Sequence, residues 1–316
     1  MGSQRTAVLG FAGSLADPDV RLLVRPGHTY SFEEFCALPG PAIGLDGSVE
    51  GPSRRSLAGP HASFNHHECV ERSSTRATCE QVMLEVGQGL WGRMQRDGRP
   101  GADIHVNDAD EDVCTSLWVL SHPDRIDEAL VRRLVTLEGL IDVTGGCWWP
   151  RWAEDEDLLG ELAWVFAPCH DARRQGRPAE ERLLREIIDE VGERVTAHVD
   201  GRGGQRPADG HFEVLARQGP VAVVREHGPY ARVAARRAGL DTVICERWAG
   251  PVRVVNIAKT SPWAGTDLVS VFQVLNEIEG CSPEDCWGGS DLVGGSPRRS
   301  GTSLPLDLVL ATVARQ

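Results

Sequence analysis

ADIHVNDADEDVCTSLWVL, residues 102–120, is the stretch on which the reading of the fold turns. Ala102–Val106 is a short apolar run of strand length, NDADED is an acidic loop, and VCTSLWVL continues as a buried helix. A strand that empties into a polar loop and then a helix is the unit of α/β proteins, and open sheets of that kind collect ligand groups just past their strand ends. The same arrangement recurs upstream. PAIGLDGSVEGP (41–52) is an apolar strand that stops at Asp46 and Gly47, and HASFNHHE (61–68) sets His66 and His67 behind another apolar run. LVRRLVTLEGLIDVTGG (130–146) gives a helix and a turn at Asp142, so that Asp142 also follows an apolar run.

Outward from these segments, residues 1–41 form a small lead-in with apolar runs at Ala7–Phe11 and Leu22–Val24 and a short helix over Ser31–Ala37. A helix is expected over Ser73–Trp91, capped by Ser73 or Ser74, with Ala77, Val82 and Val86 on one face. PAEERLLREIIDEVGERVTAHV (178–199) is amphipathic, with Leu184, Ile187, Ile188, Val191 and Val195 along one side and an acidic first turn. DGRGGQRPADG (200–210) is Gly-rich and polar, which places a domain boundary there. Beyond it FEVLA, VAVVRE, TVICER and VRVVNIAK are strand-like, interrupted by a helix around Tyr230–Ala238 and followed by a final helix. The expected architecture is therefore α/β: a parallel-sheet domain over residues 1–200, then a smaller α+β domain over 201–316.

The 316 residues suffice for two domains, and 41% hydrophobic with 25% charged residues is ordinary for a globular chain. No apolar run approaches the length of a membrane span, and the first twenty residues lack a basic region followed by a long apolar core, so neither membrane nor secretory signal is expected. The nine cysteines are scattered. Cys281 and Cys286 are the closest pair and do not make a CxxC, which leads to the expectation of a reduced, cytoplasmic protein. A net charge of −13 argues against a surface that coats nucleic acid, because neutralising phosphates needs clustered Lys and Arg. A small anionic substrate remains compatible with it.

Carboxylates gathered in one cavity repel each other unless they take up protons or share cations. Imidazole and carboxylate without cysteine suit Mn²⁺, Fe²⁺ or Mg²⁺ better than a structural zinc. In its short motifs the chain resembles the DHH phosphoesterases. NHHE is similar to their DHH signature, Asp110, Asp112 and Ser116 to the DxD motif with its following Ser, Asp46 to the lone Asp of the second motif, and Asp142 to the Asp of the fourth. GGSDLVGGSPRRSG (288–301) resembles the Gly-rich substrate loop of the DHH-associated domain. Asn65 stands where that family has the Asp of DHH, NHHE precedes the DxD segment so that a circular permutation is required, and Asp108 competes with Asp110 as the start of DxD.

The resemblance implies two metal ions, Mn²⁺ above all. One would be held by His105, Asp110 and Asp46, the other by Asp112, Asp46, His66 and Asp142, with His67 facing the scissile phosphate. It further implies that Gly288, Gly289, Ser290, Gly294, Gly295, Ser296 and Arg298 grip the substrate, Lys259 being a weaker candidate. The expected activity is that of a metal-dependent phosphoesterase, with His67 and Asp112 in catalytic positions. Its substrate would be a small nucleotide, a related phosphate ester or a short single-stranded oligonucleotide. The alternatives are a nucleotide-binding sensor and a metal-dependent biosynthetic enzyme on the same fold, and a homodimer is compatible with either. The remaining polar residues take plainer readings: His61 and Glu68 as supporting loop residues, Glu71 and Arg72 as a solvated helix start, His170 as a structural histidine, and Trp148 and Trp149 as core.

Overall fold

The computed structural model describes residues 18–67, 70–146, 156–175, 180–249, 251–297 and 299–316. The run at Ala7–Phe11, together with Glu68, Trp148, Trp149 and Arg298, lies outside the described residues. The chain divides into two compact units. One comprises Met1–Cys69, Arg76–Gly139 and Glu161–Arg206; the other comprises Val70–Thr75, Leu140–Gly160 and Pro207–Gln316.

The first unit is built on strands β1 (Asp19–Val24), β2 (Ala42–Leu45), β3 (Arg54–Arg55), β4 (His61–Phe64), β5 (Gln95–Arg96) and β6 (Arg99–Val106). They lie in the order β1-β6-β2-β4-β3, with β5 pairing β6. β1, β6, β2 and β4 are mutually parallel, and β3 and β5 pair antiparallel to their neighbours. Every residue of β2 and β4 is buried, as expected of parallel strands covered on both faces. Helix α1 (Phe32–Cys36) opens with a capping box between Ser31 and Glu34 and buries Phe35 against Tyr30, Ala42 and Val49. The helices that follow are α2 (Thr78–Gly87), α3 (Leu90–Arg93), α4 (Glu111–Ser121), α5 (Ala129–Val143), α6 (Glu156–Val165), α7 (Ala167–Arg174) and α8 (Glu181–Val199), of which α5 and α6 are divided between the two units. Among these, α4 packs against both α2 and α8.

One local expectation is corrected. The helix expected over Ser73–Trp91 is a single 3₁₀ turn at Arg72–Ser74 followed by α2, with Gly89 at φ 90° separating α2 from α3. The Ser74 hydroxyl donates to the Glu71 carbonyl instead of capping α2, and the first amides of α2 are taken by a carboxylate from α4, so the helix begins at Thr78. Helix α5 runs to Val143, and the turn expected at Asp142 closes on its last residues. There Gly145 and Gly146, both at positive φ, donate to the carbonyls of Asp142 and Ile141 and end the helix as a Schellman cap.

The second unit holds a mixed six-stranded sheet in the order β11-β12-β10-β9-β8-β7, built from β7 (Phe212–Gln218), β8 (Val221–Glu226), β9 (Thr242–Ala249), β10 (Val252–Lys259), β11 (Gly288–Gly289) and β12 (Val293–Gly295). Among the described residues only the β8–β9 pairing of this sheet is parallel. The alternation of the strands splits the core in two. Val221, Val223, Ile244, Val255 and Ile257 pack with α10 (Leu268–Glu279) and α11 (Leu306–Val313). Ala222, Val224, Val243, Cys245 and Ala258 pack with Ala235 of α9 (Ala231–Arg237). The protein is thus a mixed α/β chain with two multi-stranded sheets. Among the described residues no helix is long and apolar enough to cross a membrane.

The Gly-rich hairpin of the second unit has a packing explanation. A Cβ on Gly294 would sit 2.4 Å from both the Gly288 carbonyl oxygen and the Phe272 ring, and one on Gly295 would sit 2.6 Å from the Val255 carbonyl oxygen. Ser290 accepts the amides of Leu292 and Val293 to close the turn, and Ser296 accepts the amide of Val255. Gly294→Ala should therefore destabilise the protein by about 1–3 kcal/mol, the range for overpacking. Gly288→Ala, with open space at that position, should cost less than about 0.5 kcal/mol; urea unfolding of both variants checks the contrast.

Candidate metal centre

Parallel strands bring their carboxyl ends to one edge of the sheet, and there the first unit gathers its polar groups. Asp46 follows β2 and forms a tight turn with Gly47: both have positive φ, and the Ser48 amide returns to the Leu45 carbonyl at 3.0 Å. This is the Asp-Gly pair of a type I′ turn, one of the few places where Asp tolerates left-handed backbone. Asn107, which follows β6, donates to the Gly47 carbonyl at 2.9 Å, and Thr29 donates to the same oxygen at 3.1 Å. The turn is thereby held against its neighbouring strand.

His66 and His67 follow β4, and Asn65 fixes their loop. Its Nδ2 donates to the Gly51 carbonyl at 2.9 Å and to Val49 at 3.5 Å, while its Oδ1 accepts the His67 amide at 3.0 Å. Ser53 exchanges hydrogen bonds with both backbone groups of Asn65. A carboxylate in this place would face two carbonyl oxygens with no proton to offer, which explains why an amide stands here.

The result is a compact donor set. One ligand atom each from Asp46, His66 and His67 lie within 4.8 Å of one another. Asp46 Oδ1 is 2.7 Å from His67 Nε2 and 3.6 Å from His66 Nε2, and it accepts the Thr78 hydroxyl at 3.1 Å. The two imidazoles lie with ring centroids 4.3 Å apart. His66 is wholly buried and Asp46 nearly so, whereas the His67 side chain is 29% exposed, so the group is reached from the His67 side. One carboxylate and two imidazoles fit a divalent transition ion, or Mn²⁺, with coordination positions left over.

Asp112 stands next to this group. Its Oδ2 is 3.5 Å from His66 Nε2, yet its oxygens also accept the amides of Thr78 at 2.8 Å and Cys79 at 2.6 Å. Asp112 thus serves as the N-terminal cap of α2, supplied from another helix, an anion where the helix dipole favours one. Asp110 caps its own helix α4 through the Val113 amide at 2.9 Å, and Asp108 accepts the amide of Ala109. Burial and then the Asp112 charge push the Cys79 thiol well up, which leaves it inert.

His105 is not part of the cluster. It points into the aromatic group beneath α1, edge-on to Tyr30 and Phe35 with ring centroids 5.4 and 5.5 Å away, and its Nδ1 makes no hydrogen bond among the described residues. Asp142 belongs to the second unit, where Arg72 donates to its carbonyl at 2.8 Å and to its carboxylate at 3.2 and 3.3 Å, and to the Val143 carbonyl. Arg72 is buried, which corrects its reading as a solvated helix start: it neutralises the carbonyl end of α5. His170 is buried against Glu111 at 3.1 Å, and Arg173 also pairs with Glu111. Burial opposes ionisation of Glu111, but Arg173 and His170 outweigh it and hold the carboxyl well below its usual range. Glu111, Thr78 and Asn107 carry no sequence signal for these roles, since each partner is remote in the chain.

No family model matches this chain, and no curated protein or solved structure matches it. The geometry of the site is what the functional reading has to stand on.

Two outcomes follow. Asn65→Asp should destabilise the protein by roughly 1–3 kcal/mol in urea unfolding near neutral pH, because it removes two buried donor contacts. For His105, burial and then the positive charge of Arg25 push the pKa down to about 4 from 6.5. The unfolded chain therefore binds this proton first, so the contribution is complete above pH 6.5 and is lost as the pH falls toward 4, by up to about 1.4 kcal/mol per pH unit. His105→Phe should remove that slope from the stability profile and leave Mn²⁺ affinity unchanged.

Proposed function

We propose that this chain is a metal-dependent hydrolase of the phosphoesterase type, whose ion is held in the first unit by Asp46, His66 and His67. The observation that carries the reading is the convergence of these three donors past two adjacent parallel strands, closed on the His66 side and accessible on the His67 side. A divalent ion bound there would acidify a water and offset the charge that develops on a phosphoryl oxygen. Thr78 fixes the direction of the Asp46 carboxylate, Asn65 fixes the loop that presents both imidazoles, and Asp112 lies beside His66. His67, with its partial exposure, is the residue placed to meet the substrate.

The substrate in this reading is a small anionic phosphate ester: a nucleotide or a short single-stranded oligonucleotide. The net charge of −13 favours a small partner over a long duplex. Mn²⁺ is the leading ion, with Mg²⁺ and Fe²⁺ as the other candidates. The family pattern of two ions is retained as part of the proposal. A second ion at Asp112 would share a carboxylate whose two oxygens already accept the amides that cap α2. That engagement favours, as a second reading, a chain that binds a nucleotide without hydrolysing it.

Elemental analysis and calorimetric titration with Mn²⁺, followed by assays on short oligonucleotides, cyclic dinucleotides, phosphomonoesters and pyrophosphate, test the proposal. Loss of a group that merely supports a ligand already lowers metal affinity about 10–100-fold. Asp46→Ala and His67→Ala should therefore weaken Mn²⁺ by more than about 100-fold and abolish turnover, and His67→Ala should keep the thermal transition of the parent. Asp112→Asn should first lower stability, by about 1–2 kcal/mol, through the lost cap. Undiminished metal binding in Asp46→Ala would overturn the metal site, and tight binding of Mn²⁺ and nucleotide without turnover would replace the enzyme by the sensor.

A further inference from the structure

Cys281 and Cys286 sit in the second unit, in the short segment CSPEDC between α10 and the Gly-rich hairpin. Both thiols are free and half-buried, unlike Cys245 of the same unit, which is buried within the sheet. The fold brings the pair face to face. Ser282 and Asp285 form an isolated antiparallel bridge, and the Asp285 amide donates to the Ser282 carbonyl at 3.2 Å. Cys281 and Cys286 therefore occupy the next cross-strand position outside the bridge. Directly opposed residues of an antiparallel pair have Cα atoms about 4.5–5.5 Å apart, inside the roughly 4.4–6.8 Å that a disulfide spans.

Neither arm of this small hairpin is left to diverge, because a single residue of α10 clamps both. The Asn276 carbonyl accepts the Cys281 amide at 3.2 Å, while its side chain accepts the Trp287 amide at 2.7 Å and donates to the Trp287 carbonyl at 2.9 Å. Trp287 adjoins Cys286 and is buried in the core of the unit.

We infer that Cys281 and Cys286 form a reversible intramolecular disulfide, a thiol-redox site at the base of the loop that precedes the Gly-rich hairpin. With glutathione disulfide as the oxidant, one cysteine thiolate attacks it, forms a mixed disulfide and releases one glutathione thiolate. The second cysteine thiolate then attacks the protein sulfur of that mixed disulfide and releases the second glutathione. Two protons leave the protein thiols, and their two electrons reduce glutathione disulfide to two glutathione molecules. The Cys286 thiol gives up its contact with the Pro283 carbonyl in the process. Closure ties the hairpin that carries Asp285, whose carboxylate accepts the amides of Arg299 and Ser300 beyond the Gly-rich hairpin. The oxidation state of the pair thus acts on the segment that follows β12.

Incubation of the full chain in glutathione buffers of increasing oxidising strength, then alkylation and peptide mass mapping, tests the inference. The peptide holding both cysteines should lose both alkylation sites together and weigh two hydrogen atoms less, and reduction should restore both sites. Cys286→Ser should instead accumulate a stable glutathione adduct at Cys281, because the resolving thiol is gone. Two alkyl groups on that peptide at the most oxidising ratio, or two glutathione adducts on the parent chain, would overturn the inference. An adduct that persists on the parent as it does on Cys286→Ser would overturn it as well.

Discussion

The Asp112 carboxylate closes the N-terminus of α2 by accepting the amides of Thr78 and Cys79, and much of the first unit's arrangement depends on this contact. An ionised acceptor on helix amides is worth more than a neutral hydrogen bond, and the helix dipole adds to it. Because Asp112 lies in the first turn of α4, the contact locks the two helices end to side and sets where α2 begins. Thr78, whose amide is held in this way, turns its hydroxyl to Asp46, and the other side of Asp112 lies against His66. Position and charge in the site are therefore tied to helix packing, and a change at Asp112 is felt first as a change in stability.

The rest of the site is made of turn chemistry at strand ends. Asp46 sits in left-handed backbone beside Gly47, a conformation that needs outside support to persist. Asn107 and Thr29 supply it through the Gly47 carbonyl. Asn65 does the equivalent for the two histidines, and its amide can do so only because it both donates and accepts. The departure from an Asp at this position is thus accounted for by the carbonyls of Val49 and Gly51 that surround it. Three groups that would be costly to bury singly are arranged with one partly open side, as a bound cation would require.

In the second unit the glycines that resemble a substrate loop are equally well explained by close approach, since β11 and β12 pair glycine against glycine. Phe272 fills the space that a side chain at Gly294 would need, and Ser290 and Ser296 bind backbone amides of their own sheet. A Gly-rich sequence looks the same whether its backbone approaches a phosphate or an aromatic ring. Likewise, the cysteine spacing that ruled out CxxC gave no hint that a bridge between Ser282 and Asp285 sets the two thiols opposite each other.

What the sequence determined by itself is local. Apolar runs of strand length, the Ser31–Glu34 capping box, the amphipathic pattern of α8 and the Asp-Gly turn at Asp46 all follow from the identities of near neighbours. The strands that carry Asp46 and His66–His67 were legible in the same way. Tertiary structure decided which of the acids and histidines meet. Asp110 became the cap of its own helix, Asp112 caps α2 while lying against His66, His105 turned into the aromatic core, and Arg72 became a buried partner of Asp142. The physical reason is that a carboxylate offers the same oxygens to a backbone amide, a guanidinium or a cation. Which one takes them depends on groups tens of residues away, brought close only by sheet order and helix packing.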